Sequence, residues 1–260
     1  MKLRTLIWAS TIALAALPGW ADDPWELDPE EDGQATRVHI LPGQTQTGRD
    51  LQGGPATPDQ DWIRIFPLAR HSYEARASGG PMWSANTFVA AKLERVGTSL
   101  AVLTAGSNEE MAGFRGHSVR WIAGPNSDEE SLRVTGPPAL STPAAPYALE
   151  FHDTTYAIPR WNNTASQATI FLIQNNKPAP VAGSIFFYGA SGNLVHTHAL
   201  SVPANGLLVL PTGSIAQLAG QNGSAHVAHT GGRGALSGKA VALEPGTGFT
   251  FDTPMTSLQP

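Results

Sequence analysis

The feature that most constrains this chain is a succession of short segments in which apolar side chains recur at every second position. Glycine, proline or asparagine breaks them about every ten residues. In residues 72–78, Tyr73, Ala75 and Ala77 fall on one side and Glu74 and Arg76 on the other; residues 147–151 alternate in the same way. A period of two puts neighbours on opposite faces of an extended backbone, so each segment predicts a strand with one face buried. Further strands are predicted at 61–66, 87–94, 99–104, 117–122 and 131–134. They continue at 156–161, 168–174, 184–188, 194–200, 207–210, 224–229, 239–243 and 249–251. Residues 43–48 read as a turn with a strand edge, and 53–60 as a loop. Residues 189–193 and the pair Asn222-Gly223 read as hairpin turns. Residues 214–219 predict one short helical turn ended by Gly220, and Gly231-Gly232-Arg233-Gly234 a loop.

This is the pattern of an all-β chain, and 260 residues suffice for two cores. Two tandem β-sandwich modules are expected, at 36–152 and 153–260. No long linker separates them near Asp153, so they should abut. Only 14 % of residues are charged, against 27 Gly and 21 Pro, which disfavours helix bundles and coiled coils. The chain has no Cys. That removes disulfides, thiolate zinc sites and a Cys nucleophile, and leaves packing to hold the modules.

Residues 1–21 predict a cleaved signal peptide. Lys2 and Arg4 precede an apolar stretch at 6–17, and Gly19 and Ala21 supply small residues before Asp22. Cleavage there would remove two positive charges and move the formal balance from −5 to −7. An acidic exported chain is a poor partner for nucleic acid, which needs clustered Lys and Arg. No second apolar stretch of membrane-spanning length follows, so no span is expected after cleavage, and the product would be periplasmic or extracellular. Residues 22–35 are acidic, broken by two prolines, and read as a solvated leader without calcium-loop spacing.

Two stretches carry a resemblance. Gly43-Gln44-Thr45-Gln46-Thr47-Gly48, Asp61-Trp62-Ile63-Arg64-Ile65 with Tyr73, Leu132-Arg133-Val134 and Tyr147-Ala148-Leu149-Glu150-Phe151 together resemble the bacterial pre-peptidase C-terminal (PPC) type of domain. The resemblance implies a jelly-roll-like sandwich that serves secreted hydrolases as an accessory module, some relatives binding collagen or polysaccharide. Ser107-Asn108-Glu109-Glu110 stands where that family has aspartate-rich turns. Residues 154–255 are similar to a sandwich module at the C-termini of secreted bacterial proteins. The similarity lies in Tyr156-Ala157-Ile158-Pro159-Arg160-Trp161-Asn162-Asn163, Ala182-Gly183-Ser184-Ile185-Phe186-Phe187 and the run 238–245. It implies an immunoglobulin-like or related sandwich and brings no site with it.

Enzyme motifs are missing: there is no His-Glu-x-x-His, Walker loop, Gly-x-Ser-x-Gly or Ser-x-x-Lys, and no cofactor fingerprint. Two candidates remain for binding. Met82 and Trp83 sit among turn-formers, where they either anchor a partner or plug the sandwich end. Arg160 and Trp161 carry the groups of a cation–π pair, although adjacent strand residues point opposite ways. A metal reading rests on His196 and His198, two apart on one strand face, with His226 or His229 as a third ligand. Its counterpart is an edge strand kept soluble by imidazoles. The expected function is a non-catalytic exported protein for binding or cell-surface association, with a polysaccharide or extracellular protein as ligand. The alternatives are a subunit of an extracellular assembly, and a metal-dependent enzyme or metal carrier using the histidines.

Overall fold

The alternating segments that the structure describes do form strands; residues 87–91 of the strand predicted at 87–94 lie outside the described residues. A computed structural model describes residues 33–51, 60–79, 92–111, 114–126, 128–136 and 146–259. The predicted signal peptide, most of the acidic leader and the Met82–Trp83 loop lie outside the described residues. The first module comprises β1 (Thr45–Arg49), β2 (Gln60–Ile65), β3 (Ser72–Gly79), β4 (Lys92–Val96), β5 (Val102–Ala105), β6 (Ser107–Met111), β7 (Phe114–Ile122), β8 (Glu130–Thr135) and β9 (Tyr147–Asp153). The second comprises β10 (Tyr156–Asn162), β11 (Ala168–Asn175), β12 (Val181–Gly189), β13 (Leu194–Val202), β14 (Leu207–Pro211), β15 (Asn222–His229), β16 (Leu236–Glu244), β17 (Phe249–Pro254) and β18 (Thr256–Ser257).

All four sheets are antiparallel. The first module stacks β1–β9–β3–β7–β6 on β2–β8–β4–β5. Its pairs β1:β9, β2:β8, β3:β7 and β4:β5 nest inside one another, which is one long hairpin wrapped into a jelly-roll sandwich. Inward residues of both sheets meet in the core, where Tyr73 stacks on Phe151 at 5.3 Å and lies 5.4 Å from Trp121.

The second module stacks β13–β12–β15–β10–β18 on β14–β11–β16–β17. Strands β11 to β15 follow the immunoglobulin path: β11 pairs with β14, and β12 lies between β13 and β15. The outer strands are exchanged relative to that fold, because β10 lies beside β15 and β16 beside β11. The core centres on Phe187, stacked on Phe171 at 5.4 Å and met edge-on by Trp161 at 5.6 Å.

Local readings differ from the structure in three places. Residues 107–111 form β6, paired with β7, where a departure from the family turn was read. The helical turn is two 3₁₀ turns, Thr212–Ser214 and Ala216–Leu218. Asn222-Gly223 is the start of β15, paired with β10 and β12, and makes no turn. Gly223 is there because β12 passes so close that a Cβ would fall 1.9 Å from the Tyr188 carbonyl oxygen. Gly223→Ala should therefore force β12 and β15 apart and cost about 1–3 kcal/mol in chemical denaturation. An unchanged midpoint would disprove the close approach. Among the described residues no helix is long and apolar enough to cross a membrane.

Candidate functional site

The modules meet where β9 runs into β10. Thr154 and Thr155 at the junction are buried, and both bind Ser72 of the first module. Thr154 N–H donates to the Ser72 carbonyl at 2.8 Å, and Ser72 N–H donates to Thr155 Oγ1 at 2.8 Å. Asp153 Oδ2 lies 2.7 Å from His71 Nδ1, while its backbone N–H donates to Gln259 Oε1 at 2.6 Å. The loop Gly231–Gly234 then reaches across to Glu74. Glu74 Oε1 accepts from Arg120 Nε and Oε2 from the Arg233 backbone N–H, each at 2.8 Å. Glu74 occupies the polar face predicted for β3, yet this loop leaves it only 3 % exposed. Gly232 has φ +76°, and a Cβ there would sit 2.6 Å from Arg120 Nε.

The four imidazoles of the metal reading do not come together. His196 and His198 share a face of β13 with ring centroids 6.1 Å apart, half-buried against the core beside Phe187. Burial, with His196 close by, lowers the pKa of His198. His226 pairs through Phe186 with Thr197 and so faces the other way, toward His71 at 5.5 Å and Tyr188 at 5.1 Å. His229 is fully buried at the junction, stacked on Tyr156 at 5.6 Å. Its Nδ1 accepts the Gly231 N–H at 3.1 Å, so the proton sits on Nε2, which faces the Thr154 backbone without a well-formed hydrogen bond. Burial pushes the pKa of His229 down to about 4, and burial with the neighbouring His71 lowers that of His226. Among the described residues no three His, Asp or Glu side chains are placed to hold one ion.

Arg160 and Trp161 separate. A register shift between Ile158 and Trp161 lifts Arg160 out of the ladder and leaves it exposed. It lines an open groove of about 560 Å³ with Asn162, Asn222 and Ser224. Trp161 borders the same groove, but its ring is buried and its Nε1–H donates to the Ser224 carbonyl at 2.9 Å. The indole belongs to the core, not to a ligand platform.

Two polar clusters escaped the sequence reading. At one end of the first sandwich, Arg49 Nε donates to Tyr147 Oη at 3.0 Å and lies 3.5 Å from Asp61 Oδ2, and Tyr147 in turn donates to Asp61. Burial, then the Asp61 charge, holds the Tyr147 hydroxyl well above its ordinary pKa. All three are buried, so the cluster fastens β1, β2 and β9 to one another. The second cluster lines an open cleft of about 510 Å³ between the modules, where Glu150 and His152 of β9 meet Arg233 and Gln259. The hydrogen bond from His152 lowers the Glu150 pKa, helped by Arg76.

The most unusual surface is the outward face of β14–β11–β16–β17. On it stand Leu207, Val209 and Pro211 of β14, Ile170 and Leu172 of β11, and Val241 and Leu243 of β16. Leu207 is 55 % and Val209 53 % exposed; Gln174 stands beside Leu207, and Lys239, ion-paired with Asp252, beside Leu172 on the same face. Strands β11 and β14 are apolar on both faces, a pattern normal for sheets covered on both sides. The outward faces of the first module differ. They carry Glu74, Arg76, Arg120 and Glu150 on one sheet, and Glu94 with Arg133, whose guanidinium lies 5.1 Å from the Trp62 ring, on the other. No family model matches the chain, and no curated protein matches its sequence.

Proposed function

We propose that this chain is an exported, non-catalytic protein that attaches to an extracellular protein or cell-surface partner through the outward face of β14–β11–β16–β17. The observation that carries the reading is that face: seven aliphatic or proline side chains on one sheet, with β11 and β14 apolar on both sides. An exposed apolar patch rimmed by polar residues marks an interaction site. Aliphatic side chains favour a protein over a polysaccharide, which calls for aromatic platforms beside hydroxyl-binding groups. The nested order of the first module supports a PPC-like accessory role, and residues 1–21 support export.

The test places charge on the face without touching the core. In Leu172→Lys with Val241→Lys, binding to the isolated cell envelope should fall at least about tenfold in co-sedimentation. Folding is checked by an unchanged far-ultraviolet spectrum. Undiminished binding, or turnover of a substrate by the wild-type chain, would overturn the proposal.

A further inference from the structure

Sheet edges are hazards that proteins protect with charge, irregularity or cover. The sandwiches have eight such edges among the described residues. Strand β1 ends in Arg49 behind a register shift, β6 carries Glu109 and Glu110, and β5 adjoins a shift at Arg95/Val96. Strand β2 is bridged along its edge by His39. A shift interrupts β13, which also carries two imidazoles; β17 has Asp252, and β18 is two residues long. Strand β14, Leu-Leu-Val-Leu-Pro, is guarded only by its terminal proline: among the described residues it has no charge, no register shift and no bridging segment.

The hydrogen-bond phase shows what this edge offers. Asn175 N–H donates to the Gly206 carbonyl, so Asn175 and Gly206 form a hydrogen-bonded pair. Alternation then assigns Leu208 and Leu210 to β11, and turns the backbone groups of Leu207, Val209 and Pro211 outward. The proline fits this phase, because its missing N–H falls on the open side.

We infer that β14 is a self-pairing edge, through which two copies of this chain join antiparallel about Val209 into one eight-stranded sheet. Val209 exchanges two hydrogen bonds with Val209 of the second copy. The Pro211 carbonyl already accepts the Ser214 hydroxyl at 2.7 Å, so the pairing is carried by these two central bonds. A second copy is the occupant because an uncharged strand meets itself without like charges. Self-pairing of β6 or β17 would bring carboxylates together. The arrangement is two-fold and closes at the dimer. It rests on the backbone edge, independently of the side-chain face invoked above.

The experiment is sedimentation equilibrium of the full chain over a wide concentration range, with amide exchange read in parallel. A reversible dimer is expected, with the Val209 amide more protected as concentration rises. Val209→Pro removes an outward N–H while sparing the β11 ladder, and should weaken the dimer at least about tenfold. Val209→Lys should do the same in a salt-sensitive way, which covers the case in which the proline variant fails to fold. Leu172→Lys should leave the dimer intact, separating this edge from the face. A wild-type monomer at every concentration would overturn the inference, as would dimers of undiminished affinity in both Val209 variants.

Discussion

Glu74→Ala is expected to weaken the docking of the two modules by about 1–3 kcal/mol, the cost of removing a charged acceptor and leaving the Arg233 N–H unsatisfied. The carboxylate does two things at once: it neutralises Arg120 on its own sheet and accepts the Arg233 backbone N–H from the other module. The alanine therefore strips a counter-charge and an inter-module hydrogen bond together. Urea unfolding followed by tryptophan fluorescence should change from one shared transition to two, with the modules melting separately. A single transition at the wild-type midpoint would show that the Gly231–Gly234 loop does not hold the modules. Glu74→Gln keeps the acceptor for Arg233 and should recover part of the loss.

Acidification should destabilise the same junction through His229. Its pKa in the folded chain is about 4, against an ordinary 6.5. At pH 7 the folded imidazole is neutral and the unfolded one mostly so, and the group contributes little to the balance. As pH falls below 6.5 the unfolded chain takes up a proton that the folded chain refuses. Stability is lost progressively down to about pH 4, by roughly 3 kcal/mol in all. His226, also lowered, adds to the loss in the same direction. The groups around His229 are Tyr156, Glu74, Arg120 and Thr154, and burial outweighs the favourable Glu74 charge. His229→Phe keeps the ring stack and removes the titration. Its stability should be lower at pH 7, because the Gly231 bond is gone, but flatter between pH 7 and pH 4.5. An equally steep decline in that variant would exonerate the imidazole.

Much of the fold was legible because strands announce themselves by a period of two. Tyr73, Ala75 and Ala77 lie in the core as their spacing requires, and Leu149 and Phe151 lie opposite them. Strand β6 was hidden because Ser-Asn-Glu-Glu-Met has no alternation to read. Asn222-Gly223 misled for a different reason: the glycine serves a close approach by Tyr188, 35 positions earlier in the chain, and local turn chemistry cannot reveal that. The histidines were partly decidable from spacing. Residues two apart share a strand face, as His196 and His198 do, whereas His226 and His229 are three apart and must diverge. Burial of Glu74 was not readable, since its cover comes from a loop 159 positions away. The exposed face of β11 and β14 was visible only as two continuous apolar runs, which sequence alone assigns to a buried sheet.

The nested pairing of the first sandwich has a consequence for the timing of its assembly. Thr45 finds its partner at Glu150, 105 positions later, so the outermost strands cannot be joined until nearly the whole module has been synthesised. Only the local hairpins β4:β5 and β6:β7 can close early, and such non-local topologies fold slowly, in milliseconds to seconds. A nascent chain built this way leaves β1 without its neighbour until residues 147–150 have been made, and the module stays open until then.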